Sequence, residues 1–287
     1  MSAQDILEKG PSGRSETPPP VPRQMLSLIH RLEELDDDQQ LRQLLDHSFS
    51  DDWDVRHLSG VMIDAIRSNK IWLVQELLRR NLPMSPIYVL EAVKAKAKDI
   101  LSTFFAKAWD INKPMGRMDP PLLTNALKDW EMTIWLLDHG ADPNVRCDID
   151  YSPLSYAVKY ADLPTIDLLL RRGGDVRKGQ LVHNAIYRET ETLEVVKILI
   201  GKGAPFNALM YQDHQASWDM FPFMRETPLH TALALKRDDV VQYLIRKGAN
   251  VNIENYKGQT VMQCADEDTR RRIVQEIQIR SGLSASL

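Results

Sequence analysis

Apolar positions recur along the chain in pairs of short stretches separated by polar breaks, and the clearest pair lies between residues 227 and 252. Thr227 can cap a helix with its hydroxyl, and Pro228 suits a first helical turn because no backbone donor is needed there. After a polar break, apolar residues return at helical spacing at Val240, Val241, Leu244 and Ile245. Gly248 then suits the left-handed residue that ends a helix. The pattern predicts a unit of two short helices that must stack on neighbours to bury its apolar face.

The same pattern recurs before and after this unit. Thr260 begins the next unit 33 residues after Thr227, and earlier units begin at Ser152, at Gln180 and near Pro121. Two weaker units precede them, residues 60–84 and 87–112, with Asn81 and Ala108 where the other units have a glycine. Asparagine also tolerates the left-handed conformation. We therefore predict about seven units over residues 60–283.

Three motifs of the unit resemble the ankyrin repeat: Thr227-Pro228-Leu229-His230, the Val240-Val241 pair, and Gly248-Ala249-Asn250-Val251-Asn252. The resemblance implies an all-α fold, an ankyrin-repeat solenoid of helix-turn-helix units joined by short β-hairpin loops. It implies that Thr227 and His230 hydrogen-bond to hold the loop. It also implies that the protein binds other proteins through its hairpin tips and the concave face of the first helices.

The flanks differ from the repeats. Residues 1–22 are polar and proline-rich, without the apolar segment of a secretory signal, and we predict a disordered tail. Apolar residues at helical spacing then predict a helical cap over residues 23–59, because a solenoid needs an atypical unit to shield its end. The highly charged segment from Asp266 to Arg280 suits the opposite cap.

The spacing between units changes at two neighbouring places. From Gly173 to Gln180 is 7 residues, against 12 from Gly248 to Thr260, so that hairpin is short. The next spacing, from Gly203 to Thr227, is 24 residues and so carries twelve extra residues. We call residues 208–226 of this connection the inserted loop, which is rich in aromatic residues and methionine. Loops often carry function, so it could contact a ligand or partner. It could equally fold back over the short hairpin as a plug, and the sequence leaves both alternatives open.

Composition and charge indicate the class of protein and its cellular compartment. The net charge of −4 argues against a nucleic-acid-binding chain, and no run is long and apolar enough to cross a membrane. Two cysteines far apart argue against a disulfide framework and suit a reducing compartment, so we expect an intracellular protein, cytoplasmic, nuclear or both. We expect Cys264 to pack inside a helix pair and Cys147 to lie in a hairpin that can be exposed. A monomer is favoured.

Chemical motifs are scarce. The sequence has none of the common phosphate-binding, dinucleotide-binding or zinc-protease motifs, so we predict no cofactor, no metal site and no catalytic residue. His183 and His230 stand at the ankyrin histidine position, where a structural role is favoured. Asp213 and His214, near Asp219, could form an acid–base pair if the loop covers a pocket.

Three functions remain open. The first is a non-catalytic protein-interaction scaffold or adaptor with an unidentified protein partner. The second is a regulatory or accessory subunit of a metabolic pathway or transcription complex, and the third is an enzyme with a small-molecule pocket under the loop. Mixed charge and tyrosines suit a binding surface. The predicted partner-binding residues are Tyr211, Asp213, His214, Trp218, Phe221 and Phe223 in the loop, and Arg146, Asp148, Tyr151, Tyr156, Tyr160, Arg177, Lys178 and Tyr256 in the repeats.

Overall fold

The computed structural model describes residues 18–50 and 52–281, and the regular structure in that part of the chain is helical. The chain divides into two compact units, one ending at Lys107 and the other beginning at Ala108. The helices of the first unit are α1 (Arg23–Glu34), α2 (Asp38–Ser48), α3 (Ser59–Arg67), α4 (Ile71–Arg79), α5 (Pro86–Lys94) and α6 (Lys98–Ala106), with a 3-10 turn at Val55–Leu58.

The helices of the second unit are α7 (Leu123–Ala126), α8 (Trp130–Asp138), α9 (Pro153–Tyr160), α10 (Leu163–Arg171), α11 (Leu181–Ile186), α12 (Thr192–Gly201), α13 (Gln215–Met220), α14 (Pro228–Ala234), α15 (Asp238–Arg246), α16 (Val261–Cys264) and α17 (Glu267–Arg280). A second 3-10 turn, Pro222–Met224, follows α13. With α13 set aside, the helices of this unit form consecutive pairs.

Within the first unit, the first helices of successive pairs pack on each other, α1 on α3 and α3 on α5. The second helices α4 and α6 also pack on each other. Its core holds fully buried side chains such as Met62, Leu77 and Phe104. Residues 18–22, which the sequence places in a disordered tail, lie against the 3-10 turn. The Asp54 amide donates to the Pro19 carbonyl (2.8 Å), and Val21 is buried. Residues 1–17 of that predicted tail lie outside the described residues.

In the second unit, the first helices of successive pairs form one row, in which α7 packs on α9, α9 on α11, α11 on α14 and α14 on α16. The second helices stack likewise, α12 on α15 and α15 on α17. Each pair thus buries its apolar stripe against its neighbours, as in a solenoid of repeats. The predicted fold class, an all-α solenoid, is confirmed.

Local sequence explains where these helices begin and end. Side chains of Ser152, Thr227 and Thr260 accept the backbone amide three residues ahead, which caps α9, α14 and α16. Gly248 ends α15 at a φ of 96°, and Asn81 and Ala108 hold the equivalent left-handed position after α4 and α6, at φ of 62° and 66°. The helix stops predicted at Asn81 and Ala108 are therefore present.

The loops between repeats consist of turns and irregular backbone. Within the described residues the structure has no extended strand. The predicted β-hairpins reduce to one antiparallel bridge, Pro114 with Pro121, and to single backbone hydrogen bonds. One runs from the Cys147 amide to the Tyr151 carbonyl (3.2 Å), and another from the Asn255 amide to the Gln259 carbonyl (2.9 Å).

Cys264 lies in a helix and Cys147 in a turn, as predicted, but the burial expected for each of them is wrong. Cys147 is buried, and its thiol lies 3.4 Å from the Tyr151 carbonyl, in a turn whose Asp150 amide donates to Ser217 of the inserted loop. Cys264 is exposed at the end of the short helix α16. In the part of the chain that the structure describes, no helix has the length and apolar character needed to cross a membrane.

Candidate interaction surface

The inserted loop is closed at its base by backbone contacts. The Met210 amide donates to the Glu226 carbonyl (3.0 Å), which brings the two ends of the loop together. The same carbonyl accepts a hydrogen bond from Nε2 of His183 (2.9 Å) on α11. Burial lowers the pKa of His183 to about 4, so the imidazole is neutral near pH 7 and one nitrogen can donate. The loop therefore begins and ends on the preceding repeat.

A buried polar cluster fastens the middle of the loop. Ser217, on α13, is fully buried, and its hydroxyl accepts a hydrogen bond from the Asp150 amide (2.9 Å). The Asp150 carboxylate is also buried and accepts from Arg146 (3.0 Å) and from the side-chain amide of Gln180 (2.7 Å). The Gln180 amide also reaches the carboxylate of Asp213 (2.8 Å). Three chain segments are thereby joined through groups that would be costly to leave unpaired.

Aromatic packing completes the inner side of the loop. Tyr211 is buried in the left-handed conformation (φ 65°), and its ring lies 5.5 Å from that of Phe221. Burial raises the pKa of the Tyr211 hydroxyl to about 12. Arg225 places its guanidinium 4.2 Å from the ring centre of Trp218 and donates to the Trp218 carbonyl (2.8 Å). These residues stabilise the loop itself.

The outer side of the loop remains exposed. Phe223 is 76% exposed and Met220 is 47% exposed. The Phe223 ring stands edge-on to Tyr256, which is 43% exposed, with 6.0 Å between the ring centres. Beside Tyr256 opens a cavity of about 580 Å³, lined by both acidic and basic side chains, among them Glu226, Lys236, Asp238, Lys257 and Arg272. The loop is packed on one side and presents aromatic surface on the other.

The short hairpin leaves a recess that the loop borders. A cavity of about 300 Å³ is lined by Arg177, Lys178 and Gln180 from the hairpin, His183 from α11, and Asp213 from the loop. Arg177 donates to Asp175 (2.9 Å) and holds the pKa of that carboxyl below its usual value. Both basic side chains are exposed. The recess can accept polar or acidic groups of a partner.

Polar groups also connect successive repeats. Nε2 of His230 lies 3.1 Å from the Gln259 carbonyl, and Nδ1 lies 2.8 Å from the hydroxyl of Thr227. Asn144 donates to the Gly173 carbonyl (2.9 Å) and accepts from the Asp175 amide (2.7 Å), so its side chain bridges two loops. The histidine and threonine thus make the contact that the resemblance implies.

Comparison with known proteins supports this geometry. A family model described as "Ankyrin repeats (3 copies)" matches residues 182–279. These residues are ankyrin repeats. The chain is 26% identical over 224 residues to the ankyrin repeat protein FPV018 of fowlpox virus (strain NVSL). This match covers 68% of this chain and 31% of that protein. The chain thus spans about a third of the length of that relative.

Two solved structures share the ankyrin-repeat fold. The human ASB11 ankyrin repeat domain has a TM-score of 0.51 at 18% identity. The superposition covers 75% of this chain and 96% of the ASB11 chain. The ankyrin repeat domain of Bcl-3, described as a unique member of the IkappaB protein family, has a TM-score of 0.54 at 19% identity, and covers 75% of this chain and 97% of its own. Ankyrin repeats are generally protein-interaction modules.

A row of tyrosines lies on the surface of the repeat that begins at Ser152. Tyr156 lies 6.5 Å from Tyr151 and 4.7 Å from Tyr160, measured between ring centres. Lys159 places its ammonium 5.1 Å from the Tyr160 ring and 5.3 Å from Tyr187, a residue the sequence did not single out. Burial raises the pKa of Tyr151, whereas Tyr160 is exposed. The structure gathers these three predicted tyrosines on one surface.

Other predicted residues make internal contacts. Arg146 binds the buried Asp150, and Asp148 pairs with Arg117 (3.2 Å). The suggested acid–base pair is not formed. Asp213 accepts from Gln180, Asp219 accepts from Gln215, and His214 uses its ring nitrogen to cap α13 at Ser217. The three side chains have different partners because each serves a separate turn of the loop.

Proposed function

We propose that this chain is a non-catalytic scaffold or adaptor that binds a protein partner through its hairpin tips, the face carrying the tyrosine row, and the inserted loop. The observation that carries the proposal is the exposed aromatic pair, Phe223 and Tyr256, at the outer side of a loop whose inner side is packed. Ankyrin repeats are generally used for protein binding, which supports the same function.

The physical argument rests on preorganisation. Aromatic side chains supply a large contact area, and they are frequent among the residues that dominate binding energy. A loop already ordered by Ser217 and Asp150 loses little conformational entropy when a partner binds. Met220 adds an exposed, flexible side chain that can adapt to a partner's shape. The loop is thus built as a rigid base with an adaptable tip.

The charges beside the aromatic pair suggest how a partner is oriented. The cavity next to Tyr256 offers carboxylates from Glu226 and Asp238 together with basic groups from Lys236, Lys257 and Arg272. A protein segment with an apolar anchor and flanking charges of both signs would fit this surface. Rim charges act mainly on association rate and orientation, so binding should weaken moderately with salt.

The first test is a double substitution, Phe223→Ser with Tyr256→Ser. A partner is isolated from the native cell with the wild-type chain, identified, purified, and titrated against both proteins. We expect at least about a tenfold loss of affinity, as is typical of buried aromatic anchors at interfaces. Circular dichroism and melting should stay unchanged, because both side chains are exposed.

A matched control is Ile279→Ser, which removes another exposed apolar side chain, on α17. It should leave affinity within about twofold, since isolated exposed apolar residues are ordinary surface. Equal affinity of wild type and the double variant would reject the aromatic pair as a contact. The identity of the partner also decides whether the protein is an accessory subunit of a metabolic or a transcription complex.

A further inference from the structure

Three side chains in the first unit converge although they come from two helices. His30 and Glu33 lie one turn apart on α1, and Asp64 lies on α3, which packs against α1. One ligand atom from each side chain lies within 4.8 Å of the other two. Nδ1 of His30 is 3.7 Å from Oδ2 of Asp64. An imidazole and two carboxylates therefore meet beside one cavity of about 300 Å³.

Glu33 is the unusual member of this cluster. The residue is only 9% exposed, and neither carboxylate oxygen has a hydrogen-bond partner among the described residues. A buried carboxylate without a partner is costly unless something neutralises it.

The cations nearby are engaged elsewhere. Lys70 pairs with Asp36 (2.7 Å) and Asp38 (3.4 Å), and it reaches only the backbone carbonyl of Glu33 (3.2 Å). Arg67 is bound to Glu91 (3.0 Å) and approaches Oδ1 of Asp64 at 3.9 Å, on the oxygen opposite to the one that faces His30. The cavity is also lined by Glu34, Ser68 and Arg67, whose guanidinium is bound to Glu91. The surroundings thus supply excess negative charge.

We propose that His30, Glu33 and Asp64 bind a divalent transition-metal ion, with zinc as the best fit. Zinc takes one imidazole nitrogen and carboxylate oxygens at about 2.0–2.2 Å, so ligand atoms in a tetrahedral site lie about 3.4 Å apart. The His30–Asp64 separation is already close to that value, and the exposed parts of His30 and Asp64 give an entry path. Glu33 supplies the buried anionic ligand, and water fills the fourth position. Magnesium fits less well because it prefers oxygen ligands alone.

The test is zinc titration of the full, tag-free chain by calorimetry. We expect one zinc ion per chain, with affinity lowered at least about tenfold by Glu33→Gln, by His30→Ala and by Asp64→Asn. At the same zinc concentration, zinc should raise the melting temperature of the wild type more than that of Glu33→Gln. Glu33→Gln should fold, because the amide removes a buried charge while keeping the shape.

Two controls separate the cluster from adventitious binding. Glu34→Gln changes an exposed carboxylate beside the same cavity, and His47→Gln removes an exposed histidine on α2. Both should bind zinc within about twofold of the wild type. The proposal is overturned if no saturable one-to-one binding occurs, or if these controls weaken binding as much as the three cluster variants do. Millimolar magnesium should fail to displace the zinc, and displacement would overturn the transition-metal assignment.

Discussion

His183 and His230 occupy equivalent places in neighbouring repeats, and each binds the carbonyl that precedes the next repeat's first residue. Those carbonyls belong to Glu226 and Gln259. In the repeat beginning at Ser152, the equivalent residue is Ser155, whose hydroxyl donates to the Gly179 carbonyl (2.8 Å). A serine suffices there because the short hairpin brings the backbone closer. In each of these three repeats, one buried side chain thus helps to fix where the next repeat starts.

The burial of His183 predicts an acid-sensitive stability. The pKa of His183 is lowered from 6.5 to about 4 by burial, so below pH 6.5 the unfolded chain binds a proton that the folded chain does not. The contribution to stability is fully present above pH 6.5 and is lost as pH falls towards 4, by roughly 3 kcal/mol in all. Urea unfolding at a series of pH values measures this slope.

His183→Gln is the matched control, because it keeps a donor but cannot be protonated. The difference in unfolding free energy between the two proteins should shrink as pH falls from 6.5 to 4. A constant difference over that range would show that His183 is protonated equally in both states. Burial lowers the pKa of His230 as well, in the same direction, so only the comparison isolates His183.

Replacing Ala108 by glycine should stabilise the protein. It holds the left-handed position (φ 66°) that Gly140, Gly173, Gly203 and Gly248 hold after other helices. A residue with a Cβ atom loses roughly 1–2 kcal/mol of stability in that conformation, relative to glycine. Part of the gain from glycine is offset because glycine gives the unfolded chain more conformational freedom. Ala108→Gly should therefore raise the unfolding free energy by about 0.5–1 kcal/mol, measured by urea denaturation. Ala106→Gly, at the last residue of α6, should instead lower it. A loss of stability with Ala108→Gly would contradict the argument.

Among the elements, the inserted loop departs most from the repeat pattern. Its length and aromatic content are visible in the sequence, and the recess beside it follows from the short hairpin before it. The sequence could not divide the loop into a packed side and an exposed side. That division depends on Asp150 and Gln180, which approach the loop only in the folded chain.

A substitution at Ser217 tests how strongly its hydrogen bond with Asp150 holds the inserted loop in place. Ser217→Ala leaves the buried amide of Asp150 without an acceptor, which costs about 1–3 kcal/mol. Hydrogen exchange should therefore quicken in residues 210–220 and at Asp150, while α14 and α15 keep their protection. Gln215→Ala, at an exposed position of the same helix, should change little. Unchanged exchange in Ser217→Ala would show that the loop is held by its aromatic packing instead.

At the scale of the whole molecule, the two thiols report folding. Cys147 is buried, and burial raises its pKa, so its reactive thiolate is scarce, whereas Cys264 is exposed. We expect one thiol per chain to react quickly with Ellman's reagent, and the second only after denaturant opens the second unit. In Cys264→Ser the fast phase should disappear. Rapid reaction of both thiols in the native protein would contradict the burial of Cys147.

The sequence by itself determined the helix pairs, their caps and their stops. These depend on local hydrogen bonds and on spacing within one repeat, as at Thr227, Gly248 and Asn81. The period of 33 residues and the motif around His230 were enough to predict the fold class.

Only the tertiary structure decided which groups meet across repeats. Cys147 is buried in a turn that contacts the inserted loop through Asp150 and Ser217, and the pairing of Phe223 with Tyr256 joins residues from different loops. The cluster of His30, Glu33 and Asp64 is only partly predictable from the sequence. The helical spacing of His30 and Glu33 can be read from the sequence, but Asp64 lies on another helix. Burial and ligand geometry depend on distances between parts of the chain that are far apart in sequence, and local patterns do not encode those distances.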